Sequence, residues 1–253
     1  MSDYDTGKRY DSTKQAWEDI WQGASMQVEL EAVQYRRAQR SIAAYLPYLN
    51  KEDVILEAGS GLSAVVIALR EKGYNVMGMD YAVNALHISQ QYDKSLPLYA
   101  GDIHQLPHPD NSIDAYLSFG VLEHFEHGMQ PALREAYRIL KPGGVLVMTI
   151  PYPNLVWQLA QWRRNRSGQG LIDDEFYEST YNYQQLRDNV TQAGFAIEAL
   201  KPTSHAFTLW GLGSIFQAKG YYRTSWLAET AGDVLRVVAP RAFNFMTMTI
   251  ARK

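Results

Sequence analysis

The stretch VILEAGSGLSAVVIALREKGYNVMGMD, residues 54 to 80, constrains the fold more than any other part of this chain. An apolar run meets a glycine-rich turn, then a helix-like stretch, a second apolar run and an acid. Two apolar strands joined through a helix form a parallel crossover, because a tight hairpin can only join antiparallel strands. The alternation then continues. Val54–Glu57, Val76–Met79, Leu96–Ala100, Ile113–Phe119 and Val145–Ile150 read as strands, and helices are predicted near 62–72, 82–93 and 129–140. Runs that are apolar throughout, rather than alternating, belong to strands buried on both faces. The fold class is therefore α/β, a parallel sheet covered by helices on both sides. KPGG (141–144) reads as the end of the third of these helices.

Residues 11 to 49 read as two helices, the second covering MQVELEAVQYRRAQRSIAAYL and stopped by Pro47. After 150 the alternation loosens. A helix is predicted at 184–194, and FAIEALKP and FNFMTMTIARK are expected to pair antiparallel at a sheet edge. Two aromatic-rich segments, near 152–180 and 205–240, read as insertions over the site. The chain of 253 residues carries no cysteine, which removes disulfides and thiolate metal sites. Its net charge of −3 argues against nucleic acid as the main partner, since phosphate binding needs a basic face. No uncharged apolar run reaches the ~18 residues of a membrane span, and the start of the chain lacks a signal-peptide core. A cytoplasmic protein is expected.

In an open parallel sheet, ligands sit beyond the carboxyl ends of the strands. Gly59, Gly61 and Ala64 satisfy G-x-G-x-x-G/A, which suits a nicotinamide dinucleotide and a methyl donor equally. Glycine lets the backbone approach a ligand closely, and the helix N-terminus that follows offers unpaired N–H groups. Asp80 lies 19 residues after Gly61, the distance at which a carboxylate receives ribose hydroxyls. Glu57 tips the balance: a carboxylate two residues before Gly59 repels a pyrophosphate but attracts an ammonium and a sulfonium. Asp102 followed by Ile103 offers an acid for an adenine amino group and an apolar cover for its ring. Tyr137 and Lys141 spell Y-x-x-x-K, a dehydrogenase signature, but they stand on the helix leading into KPGG and the match is read as coincidence.

Taken in order, ILEAGSGLS, GMDYA, GDIHQLPHPDNSIDAYLSFGVLEHF and ALREAYRILKPGGVLVMTIP resemble the successive motifs of class I S-adenosylmethionine-dependent methyltransferases, nearest the quinone-biosynthesis branch. The resemblance covers about 50 to 150, with a fainter match in the terminal strands. It implies a Rossmann-like, doubly wound seven-stranded sheet, mostly parallel with an antiparallel last strand. To this are added an N-terminal helical extension or lid (1–50) and a methyltransferase domain (51–253) with a late helical insertion. The implied cofactor is S-adenosyl-L-methionine, with S-adenosyl-L-homocysteine as product. By position, Glu57, Gly59, Ser60 and Gly61 would line its methionine part, Asp80 its ribose, and Tyr81 one side of the adenine. Asp102 and Ile103 would hold the adenine from the other side, and the backbone around Ser118 and Phe119 would face the amino group. Ser63 departs from the family, which commonly has glycine there.

His124, just beyond the fourth strand, is the candidate general base for a hydroxyl acceptor; the competing reading is a histidine that shapes the loop. No metal is expected. Tyr10, Trp17 and Trp21 are candidates for a lid, or for packing an N-terminal helix on the domain. Arg36, Arg37 and Arg40 read as a solvated helix face. The late segments carry Trp157, Trp162, Phe207, Trp210, Phe216, Tyr221, Tyr222 and Trp226, with Arg163, Arg164 and Arg166 beside the first two. They suit an apolar or aromatic small-molecule acceptor, with an anionic or lipid-linked group or peripheral membrane contact at the arginines, or else they complete the core. The alternative functions are a nicotinamide-dependent oxidoreductase and a non-catalytic S-adenosylmethionine-binding protein.

Overall fold

The computed structural model describes residues 8–125, 127–166 and 179–253, with side chains from residue 15 onward except at 164. Seven strands form one sheet in the order β3-β2-β1-β4-β5-β7-β6. They are β1 (Ile55–Ala58), β2 (Val76–Asp80), β3 (Leu98–Ala100), β4 (Ile113–Phe119), β5 (Leu140–Pro151), β6 (Ala196–Thr203) and β7 (Met246–Arg252). The first five run parallel, and β7 enters antiparallel between β5 and β6, with Val147 opposite Ile250 and Leu200 opposite Thr249. The last strand is inserted antiparallel, as expected, and β6 forms the edge.

The strands alternate, but both faces are apolar. Leu56, Tyr116, Leu146 and Met148 point to one side, where they meet α6 (Gln130–Ile139) and α8 (Tyr183–Gln192). Ile55, Ala115, Leu117 and Val147 point to the other, against α3 (Arg36–Tyr45) and α4 (Ala64–Glu71). Burial of both sheet faces is the driving force that the apolar runs encode. The fifth helix, α5 (Val83–Tyr92), packs with α4 and α2 (Met26–Val33) beside β2 and β3.

Two expectations need correction. The second N-terminal helix is broken: α2 ends at Val33, Tyr35 is extended, and α3 restarts at Arg36. The Gln39 side chain reaches back to the Val33 carbonyl at 2.8 Å and satisfies an end that would otherwise be open. KPGG is not a helix end but part of β5, where the register jumps between Ile113 opposite Leu140 and Ala115 opposite Val145. Lys141 there pairs with Asp114 at 2.8 Å, at the amino end of β4 and away from the ligand end of the sheet. Y-x-x-x-K is therefore no catalytic pair.

Because the chain runs from β1 out to β3 and returns to β4 on the other side of β1, the sheet reverses between β1 and β4. Their carboxyl ends open a crevice. It is bordered by α1 (Lys8–Gln22) and, farther along, by the segment between β6 and β7, with α9 (His205–Trp210) and α10 (Trp226–Val238). The remaining helix, α7 (Leu155–Arg166), follows β5. Residues 167–178 of the first insertion, the Tyr10 and Arg164 side chains, lie outside what is described. No described helix is long and apolar enough to cross a membrane.

Candidate functional site

The turn after β1 is fastened to β2. Gly59 and Ser60 both donate their N–H to the Met79 carbonyl, at 2.8 and 2.9 Å. Gly59 and Gly61 adopt φ of +81° and +50°, a region that disfavours side chains. Space gives a second reason for glycine: a Cβ at Gly59 would collide with Val121, and one at Gly61 would lie 2.7 Å from the Trp21 indole. Ser63 also has φ +57°, fully buried, with its Oγ 3.1 Å from that of Ser60. The backbone at that position asks for glycine, which is the physical content of the family pattern from which Ser63 departs.

Asp80 ends β2 and is buried. Its Oδ2 accepts from Gly61 N–H at 2.7 Å and its Oδ1 from Ala82 N–H at 2.9 Å. It thus braces the glycine turn as well as facing the crevice, a role that spacing alone does not reveal. Burial raises its pKa, against the lowering effect of the N–H groups of Ala82, Gly61 and Tyr81. Tyr81 follows, half-buried. After β3, Asp102 Oδ1 accepts from His104 N–H at 2.8 Å and stands 2.8 Å from His104 Nδ1. Ile103 lies in the core with Met79 and Leu106, so its side chain packs under the loop rather than standing open to the crevice. His104, which sequence reading passed over, meets Phe125 edge-on at 4.4 Å and ties the loop after β3 to the loop after β4.

Glu57 is the most telling group. Its side chain is buried at the end of β1, and Oε2 has no hydrogen-bond partner among the described residues. Burial pushes its pKa up to about 8, with the Val66 N–H pulling down and Asp80 adding repulsion. The buried Tyr45 hydroxyl is also unpartnered, and the Glu57 charge helps to raise its pKa. Tyr45 in turn stacks on Phe119, ring centroids 5.3 Å apart. A third buried oxygen, Ser118 Oγ on the neighbouring strand, also lacks a partner. Buried polar groups are normally satisfied, so an unpartnered carboxyl oxygen at the ligand end of the sheet calls for an explanation. The acceptor chemistry on the α3/α4 face, a carboxyl and the Tyr45 hydroxyl beside an open-backbone turn, suits a ligand with an ammonium and a positively charged centre.

The N-terminal helix closes one side. Trp21 lies against Gly61, and Trp17 stacks with Trp21 and meets the His124 ring edge-on at 5.1 Å. Glu18 of the same helix caps α5, accepting from Val83 N–H at 2.9 Å and Asn84 N–H at 3.3 Å. No local pattern in the sequence marks this cap. His124 is buried in a short turn whose N–H bonds back to the Val121 carbonyl at 3.1 Å.

On the other side, the arginines of α3 do not form a solvated face. Arg36 and Arg40 grip Asp233 of α10 at 2.9 and 2.5 Å, and Arg40 lies 3.6 Å from Glu229. Arg37 sits 4.2 Å over the Phe207 ring, and burial lowers its pKa. Phe207 stacks on Trp210 at 5.0 Å and meets Phe245 at 4.7 Å, while Tyr222 closes on Trp210 at 5.3 Å. The late aromatics therefore divide into this cluster and an outward set that includes Trp157, Trp162 and Trp226.

A methyltransferase domain model matches residues 56–148. A probable S-adenosylmethionine-dependent methyltransferase of Mycolicibacterium smegmatis is 27% identical over 175 residues, 65% of this chain and 62% of that one. Demethylmenaquinone methyltransferase of Streptomyces avermitilis is 33% identical over 95 residues, 37% of this chain and 40% of that one. The solved S-adenosylmethionine-dependent methyltransferase of Archaeoglobus fulgidus, 16% identical, superposes with a TM-score of 0.59 over 94% of this chain and 98% of its own, which shows the shared fold. The chain spans 53% and 62% of the length of the first curated relatives it matches. The matched domain, the order of its motifs and its relatives place residues 56–148 among the class I S-adenosylmethionine-dependent methyltransferases.

Proposed function

We propose that the chain is an enzyme that moves a methyl group from S-adenosylmethionine to an apolar or aromatic small molecule. The observation that carries the donor reading is the buried, half-satisfied Glu57 carboxyl beside the Gly59–Gly61 turn. Bound there, the donor supplies an electrophilic methyl group on a sulfonium. Glu57 would hold its ammonium end, with the Gly59, Ser60 and Gly61 backbone along the methionine part. Asp80 would receive the ribose through the lone pairs its backbone contacts leave open. Tyr81 and Asp102 would flank the adenine, with Ile103 supporting the loop from the core side, and Phe119 with Tyr45 would wall the opposite side. Trp17 and Trp21 exclude water from the crevice, so that alignment of acceptor and methyl supplies much of the rate. His124, beneath Trp17, takes the proton of a hydroxyl acceptor.

The acceptor site in this reading is the cluster of Phe207, Trp210 and Tyr222 under Arg37. Arg37 and Tyr45 are eight residues apart on α3, about 12 Å along the helix axis, so one helix spans acceptor cluster and donor crevice. Flat rings suit flat acceptors, and the guanidinium suits an anionic or strongly polar substituent on them. That one relative is named a demethylmenaquinone methyltransferase supports an aromatic acceptor. The test is donor consumption with a panel of phenols, hydroquinones, amines and sugars. Turnover of aromatic hydroxyl acceptors supports the reading; turnover of sugars alone overturns it. Donor binding without turnover of any acceptor would favour the non-catalytic alternative.

A further inference from the structure

The last helix of the late insertion is apolar on both sides: Ala228, Ala231 and Leu235 pack on α9, and a second apolar stripe faces outward. On α10 the acids point inward: Glu229 and Asp233 face Arg40 and Arg36 of α3. The outward stripe is Trp226, Thr230, Val234, Val237 and Val238, with Trp226 77% exposed and the last two valines 73% and 69%. A soluble surface helix normally turns a charged or polar face outward. The departure is not confined to α10. Of the fifteen large hydrophobic residues exposed among those described, twelve lie within 155–162 and 212–238. The two groups adjoin: four residues past Val238, the Ala242 carbonyl accepts from Leu155 N–H at 3.0 Å, bringing the end of α10 to the start of α7. Trp162 on α7 and Ile215 after α9 extend the same exposed character.

Charge is segregated with it. Segments 152–166 and 212–242 carry seven arginines and lysines and two acids, in a chain that has fewer basic than acidic residues overall. The two acids are the inward pair just described. Arg163, Arg166, Lys219 and Arg236 are exposed around the apolar stripe. Isolated surface hydrophobics need no explanation, but a contiguous apolar area rimmed by one sign of charge marks an interaction site.

We propose that this face docks on a lipid bilayer containing anionic lipid, with Trp226, Val234, Val237 and Val238 entering the interface and the basic rim meeting the headgroups. Apolar burial and electrostatic attraction act together at such surfaces. A second copy of the chain is the poorer occupant, because two such faces would bring like-charged rims together. The geometry also gives docking a purpose. Behind the face, α10 is pinned to α3, the helix that reaches the donor crevice, so an apolar acceptor could pass from the bilayer to the Phe207 cluster.

The test measures binding without activity, and so stands or falls apart from the methyl-transfer reading. The whole chain is floated with vesicles of phosphatidylcholine alone, and with vesicles in which roughly one lipid in four is phosphatidylglycerol. The expected result is binding to the anionic vesicles, weaker at high salt. The triple variant W226D, V234D and V237D should bind at least ~100-fold more weakly, from roughly tenfold per apolar side chain withdrawn. The variant R163Q, R166Q and K219Q should keep its fold and lose the preference for anionic lipid. S-adenosylhomocysteine binding and thermal unfolding of both variants should match the unaltered chain, showing that the fold is intact. Failure of the unaltered chain to bind either vesicle overturns the proposal. So does a concentration-dependent dimer, seen by light scattering, that the aspartate variant dissociates.

Discussion

Replacing Glu57 with glutamine should stabilise the empty protein and weaken its grip on the methyl donor. The side chain is buried, one oxygen lacks a partner, and its pKa is raised from 4.5 to about 8. The folded state therefore holds a proton that the unfolded chain releases across this window. The sign follows: the stability this group contributes is complete below pH 4.5 and is lost as pH rises toward 8. At pH 7 the interval above the ordinary value is about 2.5 units, which at 1.36 kcal/mol each makes roughly 3 kcal/mol against folding. Glutamine has the same shape and no charge to lose. E57Q should thus match the unaltered protein at pH 4.5 and exceed it by about 3 kcal/mol at pH 7, or on the order of 8 °C in Tm. Donor binding should move the other way. The ligand's ammonium favours the ionised carboxyl, so affinity for S-adenosylhomocysteine should rise up to tenfold per unit between pH 6 and 8, with proton release in calorimetry. The variant should bind about 10- to 100-fold more weakly, the worth of a hydrogen bond to a charged group, and without that slope. Scanning calorimetry and titration calorimetry at pH 5, 6, 7 and 8 read both. Equal stability at pH 7, or an unchanged pH slope of binding in E57Q, would refute the reasoning.

Four further outcomes follow from the same geometry. H124A should lower turnover of a hydroxyl acceptor by roughly 10²- to 10⁴-fold and leave product affinity within error; unchanged turnover removes His124 as base. W21A should uncover the Gly61 turn and weaken donor binding while leaving unfolding two-state, so an unaltered Kd would show that α1 is not a lid. S63G relieves a left-handed serine, worth about 1 kcal/mol or more, but frees the unfolded chain; Tm should rise by a few degrees at most, and a large loss would mean that the Ser60–Ser63 contact dominates. R37M keeps the stacking on Phe207 and removes the charge. It should raise KM for an acceptor with an anionic substituent about tenfold or more, with kcat and donor affinity little changed.

The parallel core is legible because the sheet writes itself locally: Ile113–Phe119 reads with the bounds it has, and β1, β2 and β3 within two residues, whereas β5 starts at Leu140 rather than Val145. The crevice at the strand ends is legible for a similar reason. Gly59, Asp80 and Asp102 follow the carboxyl ends of consecutive strands, so sequence order places them together. What escaped was set by tertiary contact. The break at Tyr35 depends on a glutamine reaching back to a carbonyl, and the pairing of Arg36 and Arg40 depends on an aspartate almost 200 residues later. Ile103 illustrates the limit from the other side: its place after Asp102 is plain in the sequence, but only packing decides that its side chain turns into the core. The division of the late aromatics into an inner cluster and an outer face likewise has no signature in periodicity.

The half-satisfied Glu57 carboxyl beside the glycine turn should make the crevice select an adenosyl ligand bearing an ammonium over an anionic dinucleotide. Titration calorimetry of the purified chain with S-adenosylhomocysteine and, separately, with NADH tests it directly. The account predicts one site per chain for the first ligand and no measurable heat of binding for the second. NADH binding at comparable affinity, or no binding of S-adenosylhomocysteine, would contradict it.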